Sequence, residues 1–270
     1  MRNTLLVFNK RAAFLLTVLS LFCVSCEKVV DIDLNSSSPN IVVEGSISDQ
    51  PGPYYIKLSQ TVNYDETNIF PPITGANIVV TDDLGNSEIL IETIPGTYKI
   101  SKFQGSSGRT YTLTIMAEGK KYEAKSTMPS SVIIDSLSVQ NQFLFGQDKK
   151  VVNVHFKDPA QVNNYYRFVE VKNNVEQKYI FLYEDRLQNG SFISSSMFAG
   201  DDTLRTNDSV RVLLQCIDKG VYDYFRTLNS VTGNGGAQSA SPANPVSNIS
   251  NGALGYFSAY AVKSKLIVIP

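Results

Sequence analysis

Strict alternation of apolar and polar residues is the feature that most limits how this chain can fold. In the segment Thr110–Ala117, every second residue is apolar and the residues between are mainly threonine. Successive side chains of a β-strand point to opposite faces of the sheet, so a period of two predicts a strand with one buried face. The same period recurs in further segments, at 54–59, 152–156 and 210–216.

The predicted strands fall into two groups, separated by a segment at 128–131 that contains proline and serine. Turn residues such as Gly85 and Gly119 separate strands of the first group, because glycine adopts the positive φ that tight turns need. Strands with this number and spacing predict an immunoglobulin-like or prealbumin-like β-sandwich over residues 40–128. They are predicted at 41–47, 54–60, 76–81, 87–91, 97–101, 110–117 and 121–127.

The second group predicts a β-rich sandwich or barrel-like domain over residues 129–270, so the chain as a whole is mainly all-β. Val221, Phe225 and Leu228 recur at intervals of three to four residues, which predicts one short helix over 218–232 that ends at Gly233. The strands of this group are rich in β-branched and aromatic residues. They are predicted at 133–140, 151–157, 165–173, 178–184, 191–196, 209–217 and 259–269.

The first 25 residues have the order of an export signal. A basic start precedes an apolar run over 12–24, and a Ser25-Cys26 junction follows. The run is shorter than the roughly 20 residues that cross a membrane as a helix. We interpret residues 1–25 as a lipoprotein signal peptide, Cys26 as the residue that carries acyl chains such as palmitate, and residues 26–39 as a flexible tether. The alternative is an ordinary signal peptide, which Cys23 favours because lipoprotein signals usually carry leucine there.

Charge and cysteine content limit the partners and the chemistry. The chain carries 24 basic and 25 acidic residues, whereas a nucleic-acid-binding domain needs a basic surface. We therefore expect no nucleic-acid partner. Cleavage before Cys26 would leave Cys216 as the one unmodified cysteine, so we expect no intrachain disulfide. Cys216 has the apolar parity of its strand, which predicts a buried structural thiol.

Short motifs spread along nearly the whole mature chain carry a family resemblance. They include Cys26-Glu27-Lys28-Val29-Val30-Asp31-Ile32-Asp33-Leu34, Ile41-Val42-Val43-Glu44-Gly45, Gly108-Arg109-Thr110-Tyr111-Thr112-Leu113, Thr127-Met128-Pro129 and Ser250-Asn251-Gly252-Ala253-Leu254-Gly255-Tyr256-Phe257. In these motifs the chain resembles a Bacteroidetes-type outer-membrane lipoprotein family with a conserved domain of unknown function.

The resemblance implies a location and a partner, but no reaction. Such lipoproteins are often paired with TonB-dependent outer-membrane transporters and assist uptake. An acidic cluster after the lipidated cysteine marks surface export in that group, and here Glu27, Asp31 and Asp33 are interrupted by Lys28. We therefore expect a protein that is lipid-anchored in the outer membrane and exposed at the cell surface, with a transporter as partner.

The sequence contains little that points to catalysis. His155 is the single histidine, it alternates outward in its strand, and a Ser-His-Asp or Cys-His site would have to use it. One histidine and one unmodified cysteine do not supply a zinc site, and the acidic turns do not match a calcium loop. We expect a protein that is not an enzyme and has no cofactor or metal. A surface adhesin or scaffold remains an alternative, as does a carbohydrate-active hydrolase, because the separation of two carboxylates is a three-dimensional quantity.

Aromatic residues are the candidates for contact with a small-molecule, glycan or peptide ligand. The chain has no tryptophan but has 14 tyrosines and 14 phenylalanines. The alternative is that most of these rings belong to strands and cores. The candidate contact residues are Tyr54, Tyr55, Tyr165, Tyr166, Tyr256, Phe257 and Tyr260.

Three short motifs suggest modification of an exported protein. Each consists of aspartate, then serine or threonine, then an apolar residue, and resembles the O-glycosylation acceptor of such bacteria. The candidate sites are Ser136, Thr203 and Ser209.

Overall fold

The computed structural model describes residues 39–63, 67, 69–144, 146–160, 163–186, 188–198, 204–232 and 244–270. In the first half the strands are β1 Ile41–Ser48, β2 Tyr54–Gln60, β3 Asn77–Asp82, β4 Ser87–Ile89, β5 Ile91–Ile94, β6 Thr97–Ile100, β7 Thr110–Ala117 and β8 Lys120–Thr127. In the second half they are β9 Ile134–Leu144, β10 Gln147–Lys157, β11 Tyr165–Lys172, β12 Val175–Glu176, β13 Phe181–Glu184, β14 Phe192–Met197, β15 Ser209–Ile217 and β16 Leu254–Val268. Helix α1, Lys219–Val231, lies between β15 and β16.

A nine-stranded sheet runs through both halves of the chain. Its order is β12-β11-β15-β16-β1-β2-β6-β5, with β13 paired to β11. The start of β16 pairs in parallel with β1, where Val43 lies opposite Gly255. Its end pairs antiparallel with β15, where Cys216 lies opposite Ala261. Two smaller sheets, β4-β3-β7-β8 and β14-β10-β9, complete the described part of the fold.

Two hydrophobic cores lie on the inner face of the large sheet, the face that carries Ile56, Phe168 and Phe257. The first core joins β1, β2, β6 and β16 to the four-stranded sheet. Its members from the first half of the chain end at Met128, and it also includes Ile249 and Ala253. The second joins β11 and β15 to the three-stranded sheet and begins at Val132. The predicted all-β sandwich is therefore confirmed.

The two cores divide near the predicted boundary at 128/129, but the large sheet crosses it. The described residues from Pro39 to Pro270 belong to one compact unit, because β16 contributes to strand pairing on both sides. The division into domains at 40–128 and 129–270 stays a prediction. The ranges 1–25 and 26–39, predicted as signal and tether, lie outside the described residues except for Pro39.

Some predicted elements differ from those observed. The strand predicted at 87–91 is two strands in different sheets, β4 and β5, and buried Leu90 lies between them. The strand predicted at 259–269 begins at Leu254. The predicted strand starts too late because a glycine usually interrupts a strand. Gly255 instead has φ +92° and permits close pairing with β1. A Cβ atom there would lie 2.0 Å from the carbonyl oxygen of Val43.

The predicted helix is confirmed as α1. Asp218 caps its N-terminus and Thr232 its C-terminus, while Gly233, predicted as the stop, lies outside the described residues. In the part of the chain that the structure describes, the helix is neither long nor apolar enough to span a bilayer.

Candidate functional site

Helix α1 covers part of the outer face of the large sheet. In β11, Tyr166 and Phe168 are buried in the second core, so Tyr165 and Arg167 point to the opposite side. Five residues define this surface, which we call the helix-covered face: Tyr165, Arg167, Gln215, Tyr256 and Tyr260. Apolar residues of α1, from Val221 to Leu228, pack against its tyrosines.

The start of α1 is fixed by hydrogen bonds to the first half of the chain. The Asp218 carboxylate accepts from Val221 N at 2.9 Å, which is a helix N-cap. Its other oxygen accepts from the Ser126 hydroxyl and from Thr127 N at 3.2 Å. The Ser126 hydroxyl oxygen in turn accepts from Ala259 N at 2.8 Å. Strand β8, strand β16 and α1 are therefore held together at one point.

Aromatic rings join α1 to the sheet. The rings of Tyr165 and Tyr222 lie 5.0 Å apart between centroids. Tyr256 lies 4.9 Å from both Tyr224 and Phe225. These separations are within the range of favourable aromatic pairs, so α1 and the sheet present one continuous aromatic cluster.

Arg167 lies within this cluster, where its guanidinium contacts an aromatic ring and a neutral amide. Its guanidinium carbon lies 4.3 Å from the centroid of the Phe225 ring, and its Nη1 donates to Gln215 Oε1 at 3.0 Å. Its Nε is buried and has no hydrogen-bond acceptor. Arg167 takes part in no ion pair with any carboxylate of the described residues.

Tyr224, Tyr256 and Tyr260 of this cluster remain protonated over a wide pH range. Burial raises the pKa of Tyr256, and the nearby charge of Arg167 offsets part of that rise. Burial likewise raises the pKa of Tyr224 to about 12. The pKa of Tyr260 is also raised by burial, although a hydrogen bond with Ser46 opposes it. These phenols therefore stay neutral and can donate hydrogen bonds at physiological pH.

An open depression of about 420 Å³ adjoins the helix-covered face. Leu213 and Val262 contribute apolar surface, and polar groups come from Gln50, Lys263 and Ser264. Val262 lies opposite Gln215, which lies opposite Arg167, so the depression and the arginine occupy one row of the sheet.

One wall of the depression is held by Asp49. Its Oδ1 accepts from Val262 N and from Gln50 Nε2, both at 3.0 Å. Its Oδ2 lies 3.5 Å from Lys263 Nζ. These contacts fix the rim of the depression, and both oxygens of the Asp49 carboxylate are engaged in them.

The structure brings together three of the predicted aromatic contact residues and separates the others. Tyr165, Tyr256 and Tyr260 share the helix-covered face. Tyr55 is 44% exposed on β2, and Tyr54 is half-buried with its hydroxyl donating to Ser48 O at 2.8 Å. The remaining two are corrected by the structure, since Tyr166 and Phe257 are 1% and 0% exposed in the cores and offer no surface.

The other predicted sites are dispersed. Ser136 is exposed on β9 and Ser209 is half-buried at the start of β15, whereas Thr203 and Cys26 lie outside the described residues. Cys216 is 2% exposed, and burial raises the pKa of its thiol to about 12. The prediction of a buried structural thiol is confirmed.

His155 is less solvated than its alternation predicted. It is half-buried, and one ring nitrogen lies 2.8 Å from the Ser138 hydroxyl oxygen. Its ring stacks on Phe192 at 6.4 Å. Among the described residues there is no group of three or more histidine, cysteine, aspartate or glutamate side chains placed to hold a metal ion.

Two of the buried carboxylates, Asp158 and Asp185, were missed from the sequence because both follow strand ends that look like ordinary turns. Asp158 accepts from the Tyr166 hydroxyl and from Gly190 N at 2.9 Å. Asp185 accepts from Asn164 N at 3.1 Å. Both are 1% exposed and hold loops together. Sequence reasoning also missed Arg167, although its alternation with Tyr166 and Phe168 would have placed it opposite the core.

Comparison with known proteins identifies a family and adds little about function. No curated protein matches the chain. It shows similarity to a segment of two fibronectin type III domains from chicken tenascin, at 13% identity over 67% of this chain and 92% of that one, with a TM-score of 0.22. It is also similar to the chicken interferon gamma receptor alpha chain, at 9% identity over 87% of this chain and 99% of that one, with a TM-score of 0.26. Residues 27–266 match a family model, and the chain therefore belongs to the family defined by the domain of unknown function DUF4249.

Proposed function

We propose that this chain is a non-enzymatic outer-membrane lipoprotein that captures a ligand at the cell surface beside a TonB-dependent transporter. The observation that carries the proposal is the entry segment, in which a basic start, the apolar run at 12–24 and the Ser25-Cys26 junction follow one another. The transporter partner follows from the resemblance to Bacteroidetes-type lipoproteins described above.

The helix-covered face supports a role in ligand capture. Ligand sites are concave and mostly apolar, with a few polar groups that fix orientation. The aromatic cluster, the Arg167 guanidinium and the depression of about 420 Å³ provide these properties on one side of the large sheet. Capture requires binding and release alone, and these groups are suited to that task.

Stable attachment requires more than one acyl chain at Cys26. A single chain of myristoyl length gives marginal and reversible membrane binding, whereas two signals together give stable anchoring. We therefore expect multiple acylation of Cys26 in the mature protein.

The anchoring step is tested by replacing one cysteine at a time in the full chain. Cys26→Ser should release the protein from the membrane fraction, because no side chain remains to carry the lipid. Cys23→Ser is the matched control and should leave the protein in the membrane fraction. Membrane retention of Cys26→Ser would contradict the proposal.

The partner is tested by co-purification through a tag at Pro270 after mild solubilisation. We expect a stoichiometric TonB-dependent transporter, identified by mass spectrometry, from cells that carry the unmodified Cys26. Recovery of the lipoprotein without a transporter would leave the surface location intact and remove the transport role.

A role as an adhesin or scaffold is the second candidate, and one observation favours it. Strand β5 ends the order of the nine-stranded sheet, and its Ile91 and Ile94 are 73% and 63% exposed. An open strand edge with apolar side chains can pair with a strand of another protein. Ile94→Lys should then abolish cell adhesion without changing transporter co-purification, whereas unchanged adhesion would argue against this role.

A further inference from the structure

Strand β1 begins at one end of the first core, beside an exposed loop. Asn40 N donates to Thr61 Oγ1 at 2.9 Å, and Thr61 N donates to Asn40 O at 2.9 Å. The residue before Thr61 is Gln60, whose N donates to Pro71 O at 2.9 Å. Pro71 directly follows Phe70, so Phe70 lies beside the point where the chain enters the described fold.

Two turns meet this loop at the same end of the molecule. A Cβ atom on Gly96 would lie 2.7 Å from the Cβ of Pro72, so the turn that follows Ile94 of β5 lies next to the loop. The turn between β7 and β8 belongs to the four-stranded sheet. It is joined to β2 by a hydrogen bond from Gln60 Nε2 to Glu118 Oε1.

The surface formed by residues 69–72, 94–96 and 116–120, which we call the tether end, exposes several large apolar side chains. Single apolar residues on a surface are ordinary, whereas several at one place mark contact with another protein or with a membrane. The exposed side chains are Ile69 at 74%, Phe70 at 54%, Ile94 at 63% and Met116 at 45%.

The opposite end of the same strands is marked by charged residues. There β3 ends at Asp82, and Arg109 pairs with both Asp82, at 2.9 Å from Oδ2, and Asp83. Strand β16 pairs with β1 up to Tyr260 and with β15 from Ala261 onward. The second core therefore lies on the side of the first core that is away from the tether end.

The tether end is also the end from which the chain leads back to Cys26. In the function proposed above, residues 26–38 link the acylated Cys26 to Pro39, and a segment of that length spans at most about 45 Å. A short link gives a high effective concentration of this end at the bilayer, so weak apolar contacts are sufficient. Apolar and aromatic side chains favour the boundary between headgroups and acyl chains. Lys120 and Lys121 are exposed at this end, and lysines at such a boundary place their ammonium groups among the headgroups.

We propose that the tether end docks on the lipid bilayer, with Ile69 and Phe70 at the boundary between headgroups and acyl chains. The proposal rests on the anchor at Cys26 and extends it. The acyl chains hold the protein at the membrane, whereas these side chains orient it, so that the second core stands away from the bilayer.

A single tryptophan tests this contact, because the chain contains no other. The anchored full chain with Phe70→Trp is reconstituted in phosphatidylcholine vesicles whose acyl chains either carry bromine or lack it. Bromine quenches indole emission at short range, so this variant should lose most of its emission in the brominated vesicles. Phe192→Trp is the matched control, because Phe192 is 60% exposed on β14 in the second half, and it should keep its emission. Quenching at both positions, or at neither, would overturn the proposal.

A charge within the tether end should weaken the contact. Ile69→Glu, added to Phe70→Trp, should restore most of the lost emission, because a carboxylate is costly to take out of water. Leu84→Glu is the matched control, since Leu84 is also 74% exposed but follows β3 at the opposite end. It should leave the ratio of emission in the two kinds of vesicle unchanged. All of these positions are exposed, so circular dichroism should show an intact fold, and equal ratios in the two variants would overturn the proposal.

Flotation of the same vesicles separates the failure of this proposal from the failure of the anchor. A chain that floats with the vesicles while its Phe70→Trp emission is unquenched overturns the docking alone, and a protein partner would then be the occupant of the tether end. A chain that does not float overturns the anchor and, with it, the docking that rests on it.

Discussion

The two faces of strand β11 are built from alternate residues of one short segment, yet they treat polar groups differently. On the inner face, the Tyr166 hydroxyl donates to Asp158, whose carboxylate also accepts from Gly190 N. On the helix-covered face, the buried Nε of Arg167 has no acceptor. Buried groups that complete their hydrogen bonds specify a fold, whereas a buried donor without an acceptor needs a further explanation. The Tyr166–Asp158 bond therefore contributes to stability, whereas the binding role of the helix-covered face is the proposal made above.

The largest effect should come from truncating a ring on the inner face. Phe168 is 1% exposed in the second core, so Phe168→Ala should lower the free energy of unfolding by about 3–5 kcal/mol. Phe225→Ala, on the helix-covered face, should cost less, because its ring packs against Arg167 and Tyr256 rather than against a second sheet. Urea unfolding of the full chain measures both. Equal losses would remove the energetic distinction between the two faces.

A hydroxyl deletion tests the hydrogen-bonding part of the difference. Tyr166→Phe leaves the buried Asp158 with one donor fewer, so it should cost about 1.5–3 kcal/mol of unfolding free energy. Tyr183→Phe is the matched control, because its hydroxyl donates to Gln188 at an exposed position. Its loss should cost less than about 1 kcal/mol in the same unfolding experiment. A neutral Tyr166→Phe would show that the inner face does not depend on this bond.

The buried thiol predicts how stability depends on pH. Burial raises the pKa of Cys216 from 9.0 to about 12, so the unfolded chain loses the thiol proton first as pH rises. The free energy of unfolding should therefore fall by about 1.4 kcal/mol per pH unit from near pH 9 upward, until the folded thiol ionises. Cys216→Ala should remove this part of the slope. The slope is best measured below about pH 10, because tyrosines begin to ionise near that pH. An identical slope in both proteins would contradict the assignment.

The period of two could predict much of this arrangement. It predicted that Val210, Val212, Leu214 and Cys216 share a face, and all four lie in the second core. The same rule shows that Tyr165 and Tyr166 cannot both be surface contacts, since neighbours in a strand point to opposite sides. Alternation therefore separates the faces of a strand but does not say which face a helix covers.

The remaining features depend on pairings between distant residues. The parallel register of Val43 with Gly255 joins segments that are far apart in sequence. From the sequence alone, a glycine at this position predicts a break in the strand. The unpaired state of Arg167 follows from where α1 packs and from which carboxylates end nearby. Local patterns contain neither kind of information, because both arise from tertiary packing.

The smallest expected effect compares two buried serines, Ser258 on β16 and Ser126 on β8 beside it. Ser258 is 3% exposed, and its hydroxyl has no hydrogen-bond partner. Ser258→Ala removes a desolvated hydroxyl that makes no bond in the described structure, so it should be neutral or stabilise the fold by up to about 1 kcal/mol.

Ser126→Ala is the matched control for this prediction. Ser126 is 2% exposed, donates to Asp218 and accepts from Ala259 N. Its loss should cost about 1–3 kcal/mol, because it leaves buried partners unsatisfied. Equal destabilisation by the two substitutions would show that Ser258 has a structural partner. If Ser258→Ala keeps its stability and Ser126→Ala loses stability, the Ser258 hydroxyl is a buried polar group that the fold does not need.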